Sequence, residues 1–278
     1  MLKKAQWLSD RAQRKARRWF RRSVRGEGVA VSLDTEADSR TLLLTFGGMK
    51  STAGLVAFEF VALTADMPVK KMFVRDPRQS WYHRGLPSQG NTLESIAELL
   101  QKIVGEQEVE RLVTVGSSAG GYAALAFGAL LGADRVLAFG PQTTLDREVL
   151  AAMNDHRWDY LLEPLWDKGA LEESWIDLST ALPRALNGST RCSVFFDETV
   201  PGDSEHGERL AGINGVRLYR FGRGGHTLSR HLRDQGALDR LLRQALELPL
   251  GVSAPDASPA AVPHAADTRH APRFRTYR

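Results

Sequence analysis

From about residue 29 to residue 247, short apolar runs of strand length alternate with stretches of helical periodicity. A chain patterned in this way can pair its strands and bury both sheet faces by forming a mostly parallel sheet with helices on each side, so the expectation is an α/β fold. Strands are expected at residues 29–33, 41–46, 69–74, 111–115, 136–139, 192–196 and 216–221. Helices are expected at 53–63, at 91–104 with Asn91 or Thr92 as cap, at 119–131, and as one closing helix at 228–246. Residues 143–188, which hold Trp158, Trp166 and Trp175, are irregular and read as an insertion.

The length of 278 residues suits one large domain or two small ones. With 42% apolar and 25% charged residues, the composition excludes wholesale disorder and fibrous folds. The net charge of +4 conceals a segregation. Residues 1–25 carry ten Lys or Arg against Asp10 alone, whereas the stretch 26–249 sums to about −7. The basic segment places Leu8, Ala12, Ala16, Trp19 and Phe20 at helical spacing, as an amphipathic helix would. Such a helix can lie on an anionic membrane surface, bind nucleic-acid phosphates, or dock on the domain with its charges solvated. The membrane surface is retained as a candidate partner, and no specific nucleic acid is expected. Residues 250–278, rich in Ala, Pro and Ser, read as a disordered tail. The expected organisation is therefore a helix over 1–25, a domain over 26–249 and a tail over 250–278.

The lone cysteine, Cys192, excludes an intramolecular disulfide and argues against a structural zinc site. No apolar run is long enough to span a bilayer, and the basic N-terminus lacks the apolar segment of about 7 to 15 residues that a signal peptide requires. A cytoplasmic protein, peripheral to the membrane if the basic helix binds there, is the expectation.

The segment with the most chemical content is Gly116-Ser117-Ser118-Ala119-Gly120, a G-x-S-x-G pattern lying after a predicted strand and before a predicted helix. A serine on so sharp a turn occupies a strained backbone, and the residues two before and two after it must be nearly without side chains. Ser118 would then project at a helix start, where free N–H groups stabilise negative charge. A serine at its ordinary pKa is a poor nucleophile and needs a histidine base oriented by an acid. His226, in Gly224-Gly225-His226 after the last predicted strand, is in the position of a loop base. Two aspartates follow the penultimate strand, Asp203 and Asp197, and Asp203 is favoured because it lies a few residues farther along the loop. Asp203 as a simple helix N-cap is the competing structural role. Oxyanion donors, each worth about 3 kcal/mol in acyl transfer, are expected from the Ala119 N–H and from the Gly47-Gly48-Met49 loop, where Gly48 and Met49 are candidates and Met49 is favoured. The spacing around Lys50 does not match a phosphate loop, which removes nucleotide hydrolysis by that route.

Taken in order, the strand with its paired glycines, the serine turn, the aspartate loop and Gly225-His226 resemble the α/β-hydrolase superfamily over about residues 29–247. The resemblance implies an eight-stranded, mostly parallel twisted sheet flanked by helices, with no metal and no cofactor. It assigns Ser118 as nucleophile, His226 as base, and Met49 with Ala119 as oxyanion donors; the acid loop is longer than usual. Residues 75–85 (Arg-Asp-Pro-Arg-Gln-Ser-Trp-Tyr-His-Arg-Gly) and 138–142 (Ala-Phe-Gly-Pro-Gln) are similar to a group of bacterial hydrolase-like proteins, some tied to surface polysaccharides.

Ligands of an open α/β sheet enter at the carboxyl ends of the strands, so the loop over 75–87 should overhang Ser118. Its Trp81, Tyr82 and His83, with Arg75, Arg78 and Arg84, are expected to hold a polar or anionic substrate such as a sugar ester. The alternative is that Asp76 pairs with an arginine and the aromatics pack the loop. Residues 143–188 are expected to form a helical lid over the same mouth, with Trp158 and Trp166 as walls. The leading expectation is a serine esterase or deacylase acting on a small-molecule ester through an acyl-enzyme. The alternatives are an acyltransferase using the same residues, and a catalytically silent hydrolase-fold protein that docks through its basic helix.

Overall fold

The computed structural model describes residues 30–49 and 58–250. The expected basic helix over 1–25, all of the expected tail over 250–278 except Leu250, and positions 53–57 of the expected helix over 53–63 lie outside the described residues; positions 59–63 are bends and turns and not the expected helix.

Seven strands form one sheet in the order β1-β3-β2-β4-β5-β6-β7. They are β1 Val31–Asp34, β2 Thr41–Phe46, β3 Lys70–Val74, β4 Arg111–Ser117, β5 Arg135–Phe139, β6 Arg191–Asp197 and β7 Val216–Phe221. Only the edge strand β1 runs antiparallel to its neighbour, with Val31 opposite Val74 and Asp34 opposite Lys71. Among the described residues the sheet thus has seven strands and not the eight that the resemblance implies.

The register determines where chemistry can occur. Phe46 at the end of β2 is level with Gly116 on β4, and Ser117 is level with Phe139 at the end of β5. From β2 the chain crosses to β3 on one side, whereas β4 continues to β5 on the other. Loops that leave in opposite directions open a crevice at the carboxyl edge, here between β2 and β4.

Both faces of the sheet are buried, as a parallel sheet requires. On β2, Leu42, Leu44 and Phe46 join one core and Leu43 the other. The first core is built around α2, Ala119–Leu130, whose residues are buried on every side except at Leu130. That is the burial expected of a helix without a polar face. The first core also receives α1, Leu93–Glu106, which opens with a Thr92–Ser95 capping box and buries Leu93, Ile96 and Leu100. The second core is closed by α7, Leu228–Asp234, and α8, Ala237–Ala245. The single closing helix expected from periodicity is thus two, because Gly236 takes a left-handed conformation (φ 66°) that ends one helix and redirects the next.

The segment expected to be irregular contains three short helices: α3 Arg147–Ala152, α4 Asp159–Trp166 and α5 Leu178–Ala185. Between β6 and β7 lies α6, Pro201–Glu208. Among the described residues, no helix is long and apolar enough to cross a membrane.

Packing gives two contrasting glycine tests. A Cβ on Gly116 would sit 1.9 Å from the Gly120 carbonyl oxygen, backbone that cannot swing aside, whereas a Cβ on Gly105 would meet nothing within 4 Å. Gly116→Ala should lower the urea midpoint by an amount corresponding to about 3 kcal/mol or prevent folding. Gly105→Ala, inside α1, should instead raise stability by about 0.5 to 1 kcal/mol. Equal effects of the two substitutions would contradict the close-approach argument.

Candidate active site

Ser118 joins β4 to α2 with φ 56° and ψ −124°, a strained conformation for a residue with a side chain. Two glycines make that turn possible. A Cβ on Gly116 would strike Gly120, and one on Gly120 would lie 2.3 Å from the Phe46 carbonyl oxygen. The Ser118 N–H donates to the Phe139 carbonyl at 2.8 Å, tying the turn to β5.

The β7–α7 loop brings His226 over this serine through Gly224 (φ 121°) and Gly225 (φ 66°), conformations that favour glycine. His226 Nε2 lies 3.0 Å from Ser118 Oγ, and Nδ1 lies 2.9 and 3.0 Å from the two oxygens of Asp203. Asp203 sits in the first turn of α6, 2% exposed, and the N-cap of that helix is Val200. Of the two aspartates it is therefore Asp203 that meets the histidine, and it does not serve as a cap. Asp197 has another place: Oδ1 accepts from the Thr199 N–H and hydroxyl at 2.9 and 2.6 Å, and Oδ2 accepts from the Gly225 N–H at 2.7 Å. It braces the loop that carries His226.

Behind Asp203 stands a chain of charge absent from the sequence reading. Arg157 Nη1 donates to Asp203 Oδ1 at 2.6 Å, and its Nε and Nη2 donate to Asp155 at 2.8 and 2.6 Å. Asp155 also meets His206 Nε2 at 3.2 Å, while the Thr143 N–H donates to His206 Nδ1 at 3.0 Å, so Nε2 carries the proton shared with Asp155. Burial works to raise the Asp203 carboxyl, but its bonds to His226 and Arg157 outweigh that and hold it below the usual range. Asp155 is held low against burial in the same way, by Arg157 and His206. Gly202 leaves the space for this arginine: a Cβ there would fall 2.5 Å from Arg157 Nη2.

Gln142, just beyond β5, is the second residue missed. Its Nε2 donates to Ser118 Oγ at 3.1 Å, and its Oε1 accepts from the Trp81 indole N–H at 3.3 Å. A hydroxyl offers one proton and two lone pairs. Ser118 Oγ also lies 3.2 Å from Gln142 Oε1, so that oxygen and His226 Nε2, at 3.0 Å, are the two acceptors within reach of the serine proton.

Trp81, Tyr82 and His83, expected to face a substrate, are instead 0%, 0% and 1% exposed. The cause is Asp76, buried among three backbone donors, the N–H groups of Arg78, Ser80 and Tyr82, which fold the loop inward. The Tyr82 hydroxyl donates to the Gly47 carbonyl at 2.8 Å, and His83 Nε2 lies 2.7 Å from the Tyr122 hydroxyl. Burial lowers the His83 pKa to about 4. Arg75 lies over the Phe58 ring, Arg78 bonds to Asn91, and Arg84 borders a separate cavity.

A cavity of about 730 Å³ opens beside Ser118 and His226, with Gly48, Met49, Phe58 and Trp158 among its walls. Trp158 comes from the 143–188 segment and packs 6.1 Å from the His226 ring; Trp166 donates to the Leu145 carbonyl, and Trp175 is in the core. Of the two loop candidates for an oxyanion donor, the Gly48 N–H is engaged by Glu59 Oε1 at 3.1 Å. Burial lifts the Glu59 carboxyl to about 7, against the smaller opposing effect of that bond.

No protein-family model matches the sequence, and no curated protein sequence matches it. Solved structures do. The chain is similar to the capsule O-acetyltransferase of Neisseria meningitidis serogroup A, with a TM-score of 0.57 and 13% identity over 77% of this chain and 90% of that one. It is also similar to brefeldin A esterase, a bacterial homologue of human hormone-sensitive lipase, with a TM-score of 0.51 and 19% identity over 76% of this chain and 70% of that one. A third, the acylaminoacyl peptidase of Pyrococcus horikoshii, has a TM-score of 0.51 and 13% identity over 79% of this chain and 38% of that one. At these identities the likeness concerns the fold: the chain has an α/β-hydrolase fold.

Glu59 yields a prediction with a definite sign. A carboxyl whose folded pKa of about 7 exceeds its unfolded value binds its proton more tightly when folded, so stability falls as pH rises from about 4.5 to about 7. Glu59→Gln removes that loss, of order 2 to 3 kcal/mol. The variant should be more stable than the parent at pH 8 and equal to it near pH 4, by urea unfolding at the two pH values. A difference that does not change with pH would contradict the assignment.

Proposed function

We propose that the protein is a serine-dependent acyl-transfer enzyme, an ester hydrolase or deacylase working through an acyl-enzyme. The observation that carries the reading is the unbroken chain from Ser118 Oγ through His226 to Asp203, at 3.0 and 2.9 Å. In the first step Ser118 Oγ attacks the substrate carbonyl while His226 Nε2 takes its proton. Asp203 holds the imidazole with Nδ1–H turned toward itself and stabilises the imidazolium. The tetrahedral oxyanion forms between the N–H groups of Ala119 and Met49, and the start of α2 adds favourable potential there. His226 then returns its proton to the leaving group, and water repeats the sequence in reverse to release the acid. No step needs a metal or a redox group.

The same acyl-enzyme can be resolved by an alcohol in place of water. That second reading is favoured by the fold likeness to the capsule O-acetyltransferase, a mutant of which has been solved in complex with CoA. A sugar hydroxyl is the acceptor class this reading names, and the 143–188 segment would cover the bound ligand.

Ser118→Ala should abolish both 4-nitrophenyl acetate turnover and fluorophosphonate labelling, with an unchanged circular dichroism spectrum. Asp203→Asn should reduce turnover by about 10³- to 10⁴-fold, because an amide favours the wrong imidazole tautomer. Retained turnover in Ser118→Ala would overturn the proposal. Including a competing alcohol and weighing ester product against free acid separates the two fates of the acyl group.

Trp81→Phe removes the N–H that orients Gln142 and leaves a void where the larger indole was fully buried. Fluorophosphonate labelling of Ser118 should slow by about tenfold, since one hydrogen bond near a reacting group is worth about 1 to 2 kcal/mol, and the void should lower stability by about 1 to 3 kcal/mol. An unchanged labelling rate would show that the amide orientation does not matter.

A further inference from the structure

We propose that the cavity beside Ser118 recognises an anionic group on the substrate, a phosphate or a carboxylate, through Arg230 and Arg233. The inference rests on Ser118 being the nucleophile and adds what the substrate carries at its far end.

The chain enters α7 immediately after His226 and Thr227. Leu228 and Leu232 are buried against the sheet, which turns residues 230 and 233 to the opposite side. Being three apart, their side chains are neighbours on the helix surface. Both line the cavity that Ser118 and His226 line. The helix is held close to the serine turn, because the Ser229 hydroxyl donates to Ser117 Oγ at 3.1 Å. Both arginines are therefore part of the wall of the cavity onto which Ser118 opens.

The charges that could neutralise them are few. Among the described residues the Arg230 side chain forms no hydrogen bond or ion pair. Arg233 pairs with its neighbour Asp234, both side chains at least half exposed (50% and 61%), a contact that competes weakly with a ligand. The acid in the lining is Glu59, whose carboxyl is bound to the Gly48 N–H and raised by burial to about 7. Much of the remaining wall is apolar: Met49, Phe58, Phe60, Val61, Leu63 and Leu238. The result is a cavity with an apolar side and a cationic rim, in a stretch of chain that otherwise carries an acidic excess.

A cavity of about 730 Å³ is far larger than a short acyl group requires, so it takes a ligand with a substantial second part. Guanidinium groups match phosphate and carboxylate oxygens with paired N–H donors, which a neutral sugar ester would leave unused. The anionic group has two possible positions: on the acyl portion, or on the alcohol or thiol portion.

Two pairs of probes separate those positions. 4-Nitrophenyl hydrogen succinate and 4-nitrophenyl butyrate have acyl chains of equal length and differ in a terminal carboxylate; S-acetylphosphopantetheine and S-acetylpantetheine share a thioester and differ by one phosphate on the thiol portion. The expected result is that the full chain prefers the anionic member of one pair by about tenfold or more in kcat/KM. That preference should fall toward unity in Arg230→Gln/Arg233→Gln and in about 0.5 M salt. Turnover of 4-nitrophenyl acetate by the double variant reports whether its fold and reacting groups are intact. No preference in either pair, or a preference surviving in the double variant, would overturn the proposal.

Calorimetric titration of Ser118→Ala with coenzyme A and with succinate reads the same subsite without turnover. Binding of one of them, weakened about tenfold by the double substitution, supports the anion subsite even if the nucleophile assignment fails. Absence of binding by both rejects the subsite, whatever Ser118 does.

Discussion

The close approach of β4, α2 and the end of β2 is the constraint on which the rest of the molecule depends. Gly116 touches Gly120, and Gly120 touches the Phe46 carbonyl, so three backbones meet where a single methyl group would not fit. That contact allows Ser118 to hold φ 56° at the head of a buried helix. The strain is sustained from outside, by β5 accepting the Ser118 N–H and by a helix whose apolar sides are all packed. Register then supplies the partners. Strands level at their carboxyl ends bring the loops after β2, β4, β5, β6 and β7 to one edge, and each contributes a residue within reach of the serine or of its histidine.

The electrostatics show how a buried carboxylate is kept charged. Asp203 is removed from water, and burial alone would neutralise it. A histidine on one side and an arginine on the other reverse that preference. Arg157 in turn is gripped by Asp155 through two nitrogens, and Asp155 is reached by His206. A group that tied Asp203 directly to a flexible surface lysine would hold neither geometry nor charge so well, because the guanidinium is planar and here locked at both ends. The 143–188 segment, read from sequence as an insertion, supplies Asp155 and Arg157 behind Asp203 and Trp158 beside His226.

What the sequence reveals divides along the range of the interactions. The serine turn and the Gly225-His226 loop are legible because their requirements are local: small residues at fixed offsets, a strand before, a helix after. The choice of Asp203 over Asp197 could be favoured on loop length, since both follow one strand. Arg157 and Glu59 could not be read, since each matters through a partner 46 or 11 positions away and neither lies in a motif; Gln142 closes the run Ala-Phe-Gly-Pro-Gln, but its role depends on Ser118, 24 positions away. Trp81, Tyr82 and His83 are instructive in the other direction. Aromatics in a loop at the carboxyl edge suggest substrate contact, yet Asp76 collects the loop's own N–H groups and turns the rings into the core. A buried carboxylate satisfied by backbone leaves no periodicity to detect. The division of the closing helix at Gly236 is a milder case, a lone glycine within an apolar repeat that tolerates it either way.

The bonds of the glycine loop after β2 support the proposal of Met49 over Gly48 as oxyanion donor. Gly47 is bound twice, its N–H to the Val74 carbonyl at 2.9 Å and its carbonyl to the Tyr82 hydroxyl at 2.8 Å. Gly48 is bound through its N–H to Glu59. A donor already committed to a carboxylate would have to break that bond to serve a transient anion, and the reorganisation would offset what it contributes. These tethers fix the backbone that leads into Met49, so the next N–H along the loop can be oriented before any substrate arrives. Preorganisation of that kind needs a rigid support, and the buried tyrosine hydroxyl that the sequence suggested as a substrate contact is part of it.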